Sequence, residues 1–125
     1  MAKQISSAEF QVMDVVWNQN PIAATEVAER LAGDTGWSLK TVKTLLSRLV
    51  EKDAVAHEPD GRRYLYTPKL SRADYAQEAT RKLADQLFGG RAAPLIAHLA
   101  EGDGLSSDDV RDIEKLIEDL KRDGD

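Results

Sequence analysis

Cysteine is absent from all 125 residues. Disulfides, thiolate metal sites and cysteine nucleophiles are therefore excluded, and the composition suits a reducing compartment. No apolar run approaches the roughly 20 residues of a membrane span. Met1-Ala2-Lys3-Gln4 leads into no signal-type apolar segment. A soluble, cytoplasmic protein is the expectation. Histidine is scarce: His57 and His98 are the two, and neither has a ligand-spaced partner. No glycine-rich phosphate loop follows a strand, and no nucleophile stands near a base in a familiar spacing. Neither a catalytic residue nor a metal or cofactor site is expected, so the chain reads as something other than an enzyme.

What is present is enough apolar material, 42% of residues, to build the core of one compact domain or two small ones. The net charge of −5 is unevenly spread. Residues 1–69 carry nine basic and nine acidic side chains, whereas residues 70–125 carry eight against thirteen and so hold the whole excess. Between Trp37 and Lys69 the balance is seven basic to four acidic. A locally basic module followed by an acidic half meets the need of a small duplex-binding protein, and it also occurs on proteins that bind no nucleic acid.

The strongest signal lies in residues 37–49. Val42, Leu45, Leu46 and Leu49 fall at i, i+3, i+4 and i+7, one apolar stripe of an α-helix. Lys40, Thr41, Lys43, Thr44 and Ser47 occupy the opposite face, with Arg48 on the flank and no acid before Glu51. Ammonium groups among small hydroxyls let a helix approach phosphates and base edges closely. A surface helix with solvated lysines has the same composition, so the neighbouring segments decide. Ser38 is a suitable N-cap, with Trp37 before it as a staple.

Upstream, Ile5-Ser6-Ser7-Ala8-Glu9 opens a helix with a serine as cap and Glu9 near its start. Its apolar face is Phe10, Val12, Met13, Val16 and Trp17, and Asn18-Gln19-Asn20-Pro21 ends it. Ile22-Ala23-Ala24 reads as a connector, residues 25–32 as a short helix, and Gly33-Asp34-Thr35-Gly36 as a turn. Downstream, two strand-like runs flank Pro59-Asp60-Gly61, a hairpin signal. Alternation puts Arg63 and Leu65 on one face and Arg62, Tyr64 and Tyr66 on the other. The tyrosines and His57 read as packing residues of the hairpin. Helix, turn, basic helix and a hairpin tipped with Arg62 and Arg63 make a winged helix-turn-helix. Ser6 and Ser7 join the two arginines as candidate backbone contacts.

Residues 71–125 carry three more helical patterns. The first begins at Ser71-Arg72-Ala73-Asp74 and stops at Gly89-Gly90, the second surrounds Pro94, and the third begins at Ser106-Ser107-Asp108-Asp109. The Asp108, Asp109 and Asp112 cluster is accounted for by capping and the helix dipole. Leu83, Leu87, Phe88, Ile113, Leu116, Ile117 and Leu120 are large apolar side chains in a segment with little core of its own. Pairing with the same stripes of a second chain is the simplest way to bury them; folding back on the winged helix is the alternative. The chain thus reads as mainly α with a small β-hairpin. A winged-helix DNA-binding domain (1–70) precedes a helical dimerisation domain (71–125). A winged helix that binds protein rather than DNA is the competing reading.

The Ile5-Ser6-Ser7-Ala8-Glu9 start, the residue 37–49 helix, the Gly61-Arg62-Arg63-Tyr64-x-Tyr66 hairpin and Leu105-Ser106-x-Asp108 resemble the penicillinase repressor (BlaI/MecI/CopY) family. The resemblance spans nearly the whole chain. It implies a homodimeric repressor of β-lactamase or related resistance genes, bound to a palindromic double-stranded operator with TACA/TGTA-type half-sites. It also implies inactivation by cleavage in the dimerisation domain through a membrane sensor-protease pathway. Two features depart from the family pattern. The cysteine cluster of the copper-sensing branch is missing, and His98-Leu99 stands where members induced by proteolysis carry Asn-Phe.

Overall fold

A computed structural model describes residues 4–102 and 104–124. Two compact units divide it, one running to Ala76 and the other from Gln77. In the first unit, α1 (Ser7–Asn18) is set by a capping box at its start. The Ser6 hydroxyl accepts from the Glu9 N–H at 3.1 Å while the Glu9 carboxylate accepts from the Ser6 N–H at 2.8 Å. Val12, Met13, Val15 and Val16 are buried. The next segment, read as a connector, is instead a strand, β1 (Ile22–Ala23). Two residues are too few to show a period of two, so alternation had nothing to register.

Helix α2 (Ala24–Thr35) buries Ala24, Val27 and Leu31. It runs three residues past the sequence expectation, through Gly33 and Asp34, and ends at Gly36, whose φ is +68°. One glycine inside a helix costs only about 1 kcal/mol, whereas a left-handed φ ends it outright. The Thr35 hydroxyl donates to the Leu31 carbonyl and accepts from the Trp37 N–H, which tightens the turn into α3 (Leu39–Glu51). There the Ser38 hydroxyl accepts from the Thr41 N–H at 3.2 Å, and Val42, Leu45, Leu46 and Leu49 are buried as the stripe requires.

The hairpin pairs β2 (Val55–Asp60) with β3 (Arg63–Pro68), and β1 joins the other edge of β3 to give the antiparallel order β1-β3-β2. The turn differs from expectation. Asp60 faces Arg63 and Pro59 faces Tyr64, so the loop is Gly61-Arg62 alone. Gly61 supplies the positive φ of +65°. Pro59 is accommodated because β2 is an edge strand, where a missing N–H is tolerated. Arg62 accordingly sits in the loop rather than on the face assigned to it with Tyr64 and Tyr66. Tyr66 is buried in the core, and burial followed by the nearby Tyr64 pushes its phenol above the ordinary pKa.

Helix α4 (Arg72–Phe88) starts with its Ser71 hydroxyl accepting from the Asp74 N–H at 3.0 Å. Its first turn packs within the first unit. Tyr75 meets Phe10 and Trp17 at ring distances of 5.7 and 5.9 Å, and Arg72 lies over the Trp17 ring and pairs with Asp14. The Trp17 indole N–H donates to the Leu70 carbonyl. In the second unit, α4 continues and is followed by α5 (Ala92–Ala100) and α6 (Ser107–Asp123). Ser106 and Asp109 form a capping box at α6. Among the described residues of these three helices only Ala84 is buried.

One ion pair holds the first unit's ends together. Glu9 is 1% exposed and takes the Lys52 ammonium, which also donates to the Gln4 carbonyl, so the start of α1 is fixed to the end of α3. Burial alone would raise the Glu9 pKa. Hydrogen bonds from Lys52 and from the Ser6 N–H and hydroxyl outweigh it and bring the carboxyl below its usual value. The contribution of this carboxylate is therefore complete above about pH 4.3, the unfolded value, and drains away as pH falls through the lower folded one. Lys52→Met should cost about 2–3 kcal/mol at pH 7, somewhat less than for a fully buried pair. An unchanged denaturation midpoint at that pH would contradict this role.

Candidate nucleic-acid interface

Because the stripe of α3 is committed to the core, its other side is held outward. Lys40, Thr41, Lys43, Thr44, Ser47 and Arg48 are all exposed. Leu39, Lys40, Lys43, Thr44 and Ser47 line one shallow, open depression along it. The hydroxyls are not equivalent. That of Thr44 donates to the Lys40 carbonyl at 3.0 Å, which leaves its oxygen lone pair facing out as an acceptor. Thr41 shares a 3.2 Å contact with the Ser38 hydroxyl. Ser47 makes no hydrogen bond through its side chain among the described residues and is free to donate or accept.

The cations of the first unit differ in their partners. Lys52, Arg63, Lys69 and Arg72 each reach a carboxylate. Lys40, Lys43 and Arg48 on α3 and Arg62 in the hairpin loop have no such partner among the described residues, while Arg30 on α2 donates to the Gln19 amide oxygen. The first turn of α3 also contains no acid, so the positive end of its dipole is left unneutralised. A surface with unpaired cations, outward hydroxyls and a helix dipole of the same sign is suited to polyanions and to the edges of bases.

The remaining predicted residues lie elsewhere. Arg62 and Arg63 share the hairpin tip, but Arg63 is drawn to Asp60 at 3.2 Å in an exposed pair. Ser6 is occupied as the cap of α1, while Ser7 is exposed at its first position. Both stand near the C-terminal end of α3, since Lys52 bridges to Gln4 and Glu9. His57 stacks on Tyr64 with ring centroids 4.6 Å apart, a packing role as expected. No cluster of His, Asp and Glu fit to hold a metal occurs among the described residues. Leu83, Leu87, Leu116, Ile117 and Leu120 are exposed and Phe88 and Ile113 half-buried in the second unit. His98 and Leu99 lie on α5, with the His98 ring against Phe88 and Leu99 55% exposed. Among the described residues no helix is long and apolar enough to cross a membrane.

Sequence reasoning missed Leu39. It stands three residues before Val42, so periodicity prolongs the buried stripe back to it and gives no sign that it faces outward. It also missed the Glu9–Lys52 pair, whose members are far apart in the chain.

Three helices, a short third strand and a basic-tipped hairpin define a winged helix-turn-helix protein. Residues 5–119 match the sequence model of the penicillinase repressor family, and the chain belongs to that family. It is 32% identical over 118 residues to the penicillinase repressor of Bacillus licheniformis, covering 94% of this chain and 92% of that one. The solved DNA-binding domain of the repressor BlaI aligns at 43% identity and a TM-score of 0.54, over 60% of this chain and 94% of that one. The monomeric form of Bacillus licheniformis BlaI, solved in complex with the blaP half-operator, aligns at 41% identity and a TM-score of 0.52 over 60% of this chain and 92% of that one.

Proposed function

We propose that this chain is a sequence-specific, DNA-binding transcriptional repressor with no catalytic step of its own. It acts in the cytoplasm as a homodimer on a palindromic operator and controls a β-lactamase or related resistance gene. The observation that carries this reading is the outward face of α3, where Lys40, Lys43 and Arg48 stand without carboxylate partners beside the Thr44 and Ser47 hydroxyls. It occurs in a domain that is 41% identical to one solved on a half-operator. Lys40, Lys43, Thr44 and Ser47 read base edges, with Thr44 offering its lone pair to a base amino group and the lysines addressing guanine or phosphate. Arg48, Arg62 and Ser7 fix the register on the backbone. Arg63 contributes less than Arg62, because it must first leave Asp60.

Footprinting the purified protein on DNA upstream of its own gene, followed by titration at several salt concentrations, tests this. Affinity should fall steeply with salt. Lys43→Ala or Thr44→Ala should cost about 1–3 kcal/mol and relax preference at particular base pairs, while Arg62→Ala should weaken all sequences alike and lower the salt slope by about one. Salt-independent binding without a footprint would favour a winged helix that binds protein.

The exposed stripes of α4 and α6 support the dimer. Burying each of Leu83, Leu87, Phe88, Ile113, Leu116, Ile117 and Leu120 contributes roughly 1.5–3 kcal/mol, which is forfeited while the face meets water. A double variant, Ile113→Asp with Leu116→Asp, should sediment at half the mass of the wild type with an intact winged-helix spectrum. Unchanged mass would mean that these residues pack within one chain.

Release from the operator follows from cleavage between His98 and Leu99 by a pathway that a membrane sensor-protease starts. The family resemblance supports this, together with the position of the bond on α5, ahead of α6. A cut there separates the α6 stripe from the DNA-reading unit and removes the avidity of two linked half-sites, on the order of 10²–10⁴. Mass spectrometry of the protein from cells exposed to a β-lactam should show a fragment ending at His98. Derepression with the chain intact, or a cut elsewhere, would overturn this part.

A further inference from the structure

Leu39 is a large apolar side chain 37% exposed at the first position of α3, while Val42, Leu45, Leu46 and Leu49 of the same helix are buried. The partly buried Trp37 and Val50 pack against the core, whereas Leu39 borders the depression on the outward side of α3. Over a third of its surface is therefore left open to a ligand. Its neighbours in the depression are two ammonium groups and two hydroxyls, from Lys40, Lys43, Thr44 and Ser47. Every one of those groups recognises a polar edge. Within the major groove the single apolar group on any base is the C5 methyl of thymine. Of the side chains lining the depression, Leu39 offers the largest apolar surface to it, beyond the one methyl of Thr44.

We propose that Leu39 is a specificity-determining residue that packs on a thymine methyl in each half-site. The inference rests on the DNA-reading role of α3 argued above and adds a base identity to it. Its place supports the geometry, because the N-terminal residues of a recognition helix are those that meet base edges. The chemistry supports the choice of base. An isobutyl group in the groove gains from covering a methyl, and it leaves the exocyclic amine of cytosine or adenine without a partner when either replaces thymine. Lys40 and Lys43 beside it then address the acceptors of adjoining pairs.

The test removes only the methyl. Duplexes selected by the wild-type protein from a random-sequence pool are remade with single thymines replaced by deoxyuridine, and affinities are measured for wild type and Leu39→Ala. At one thymine per half-site, deoxyuridine should weaken the wild type about fourfold, the value of one buried methyl. Leu39→Ala should bind the thymine duplex several-fold less tightly and show no difference between thymine and deoxyuridine at that position. Selective binding by the wild type with no methyl-sensitive thymine would overturn the role of Leu39. So would a Leu39→Ala variant sensitive at the same thymine. A wild-type protein that selects no sequence would bring down the repressor reading itself. Since the wild-type measurement changes only the DNA, any effect of the substitution on folding leaves it decisive.

Discussion

The buried stripe of α3 is the constraint on which the rest of the molecule depends. Val42, Leu46 and Leu49 are fully buried and Leu45 nearly so. Each contributes energy of the same order as a large fraction of a small domain's net stability. Against that, exposing a lysine costs nothing. The rotation of α3 about its own axis is therefore chosen by its apolar side, and the outward set of Lys40, Lys43, Thr44 and Ser47 follows from it. The Glu9–Lys52 pair fixes the far end of the same helix against α1. A core substitution that turned α3 slightly would displace the reading groups together while leaving every one of them in place chemically.

Much of this could be read from the residues in order. The stripe of α3, the Ser38 cap, the serine cap of α1 and the hairpin all rest on local rules, with signals spaced within one or two turns. Where reading failed, the controlling fact was not local. Ile22 and Ala23 become a strand because Tyr66 and Leu65 lie opposite, far along the chain. The hairpin loop sits at Gly61-Arg62, since the register with β3 determines which of three turn-forming residues belong to β2. Glu9 looked like a cap alone, and its partner Lys52 is supplied by tertiary packing. Helix α2 outlasted Gly33 because a glycine weakens a helix without stopping it.

The second unit shows the limit of pattern from the opposite side. Its apolar spacing and caps were plain, and the helices form where the pattern puts them. A stripe, however, states only that something must cover it. Leu87 at 62% exposed and Leu120 at 61% belong to well-formed helices whose apolar sides stay partly open among the described residues. Helix formation is decided by a few residues at a time, whereas the identity of the covering surface is not a local property of the sequence.

The borders of the small sheet carry a consequence for how copies of this protein meet. β1 is two residues long and offers almost no backbone to a newcomer, while β2 ends in Glu58-Pro59-Asp60, two like charges around a residue that cannot donate. Short edges, charge and proline are the devices that discourage strand addition. Backbone pairing at this sheet, which could extend from copy to copy without limit, is thereby disfavoured. The composition of a hairpin only a few residues wide thus closes one route to open-ended polymers, the one that runs through sheet edges.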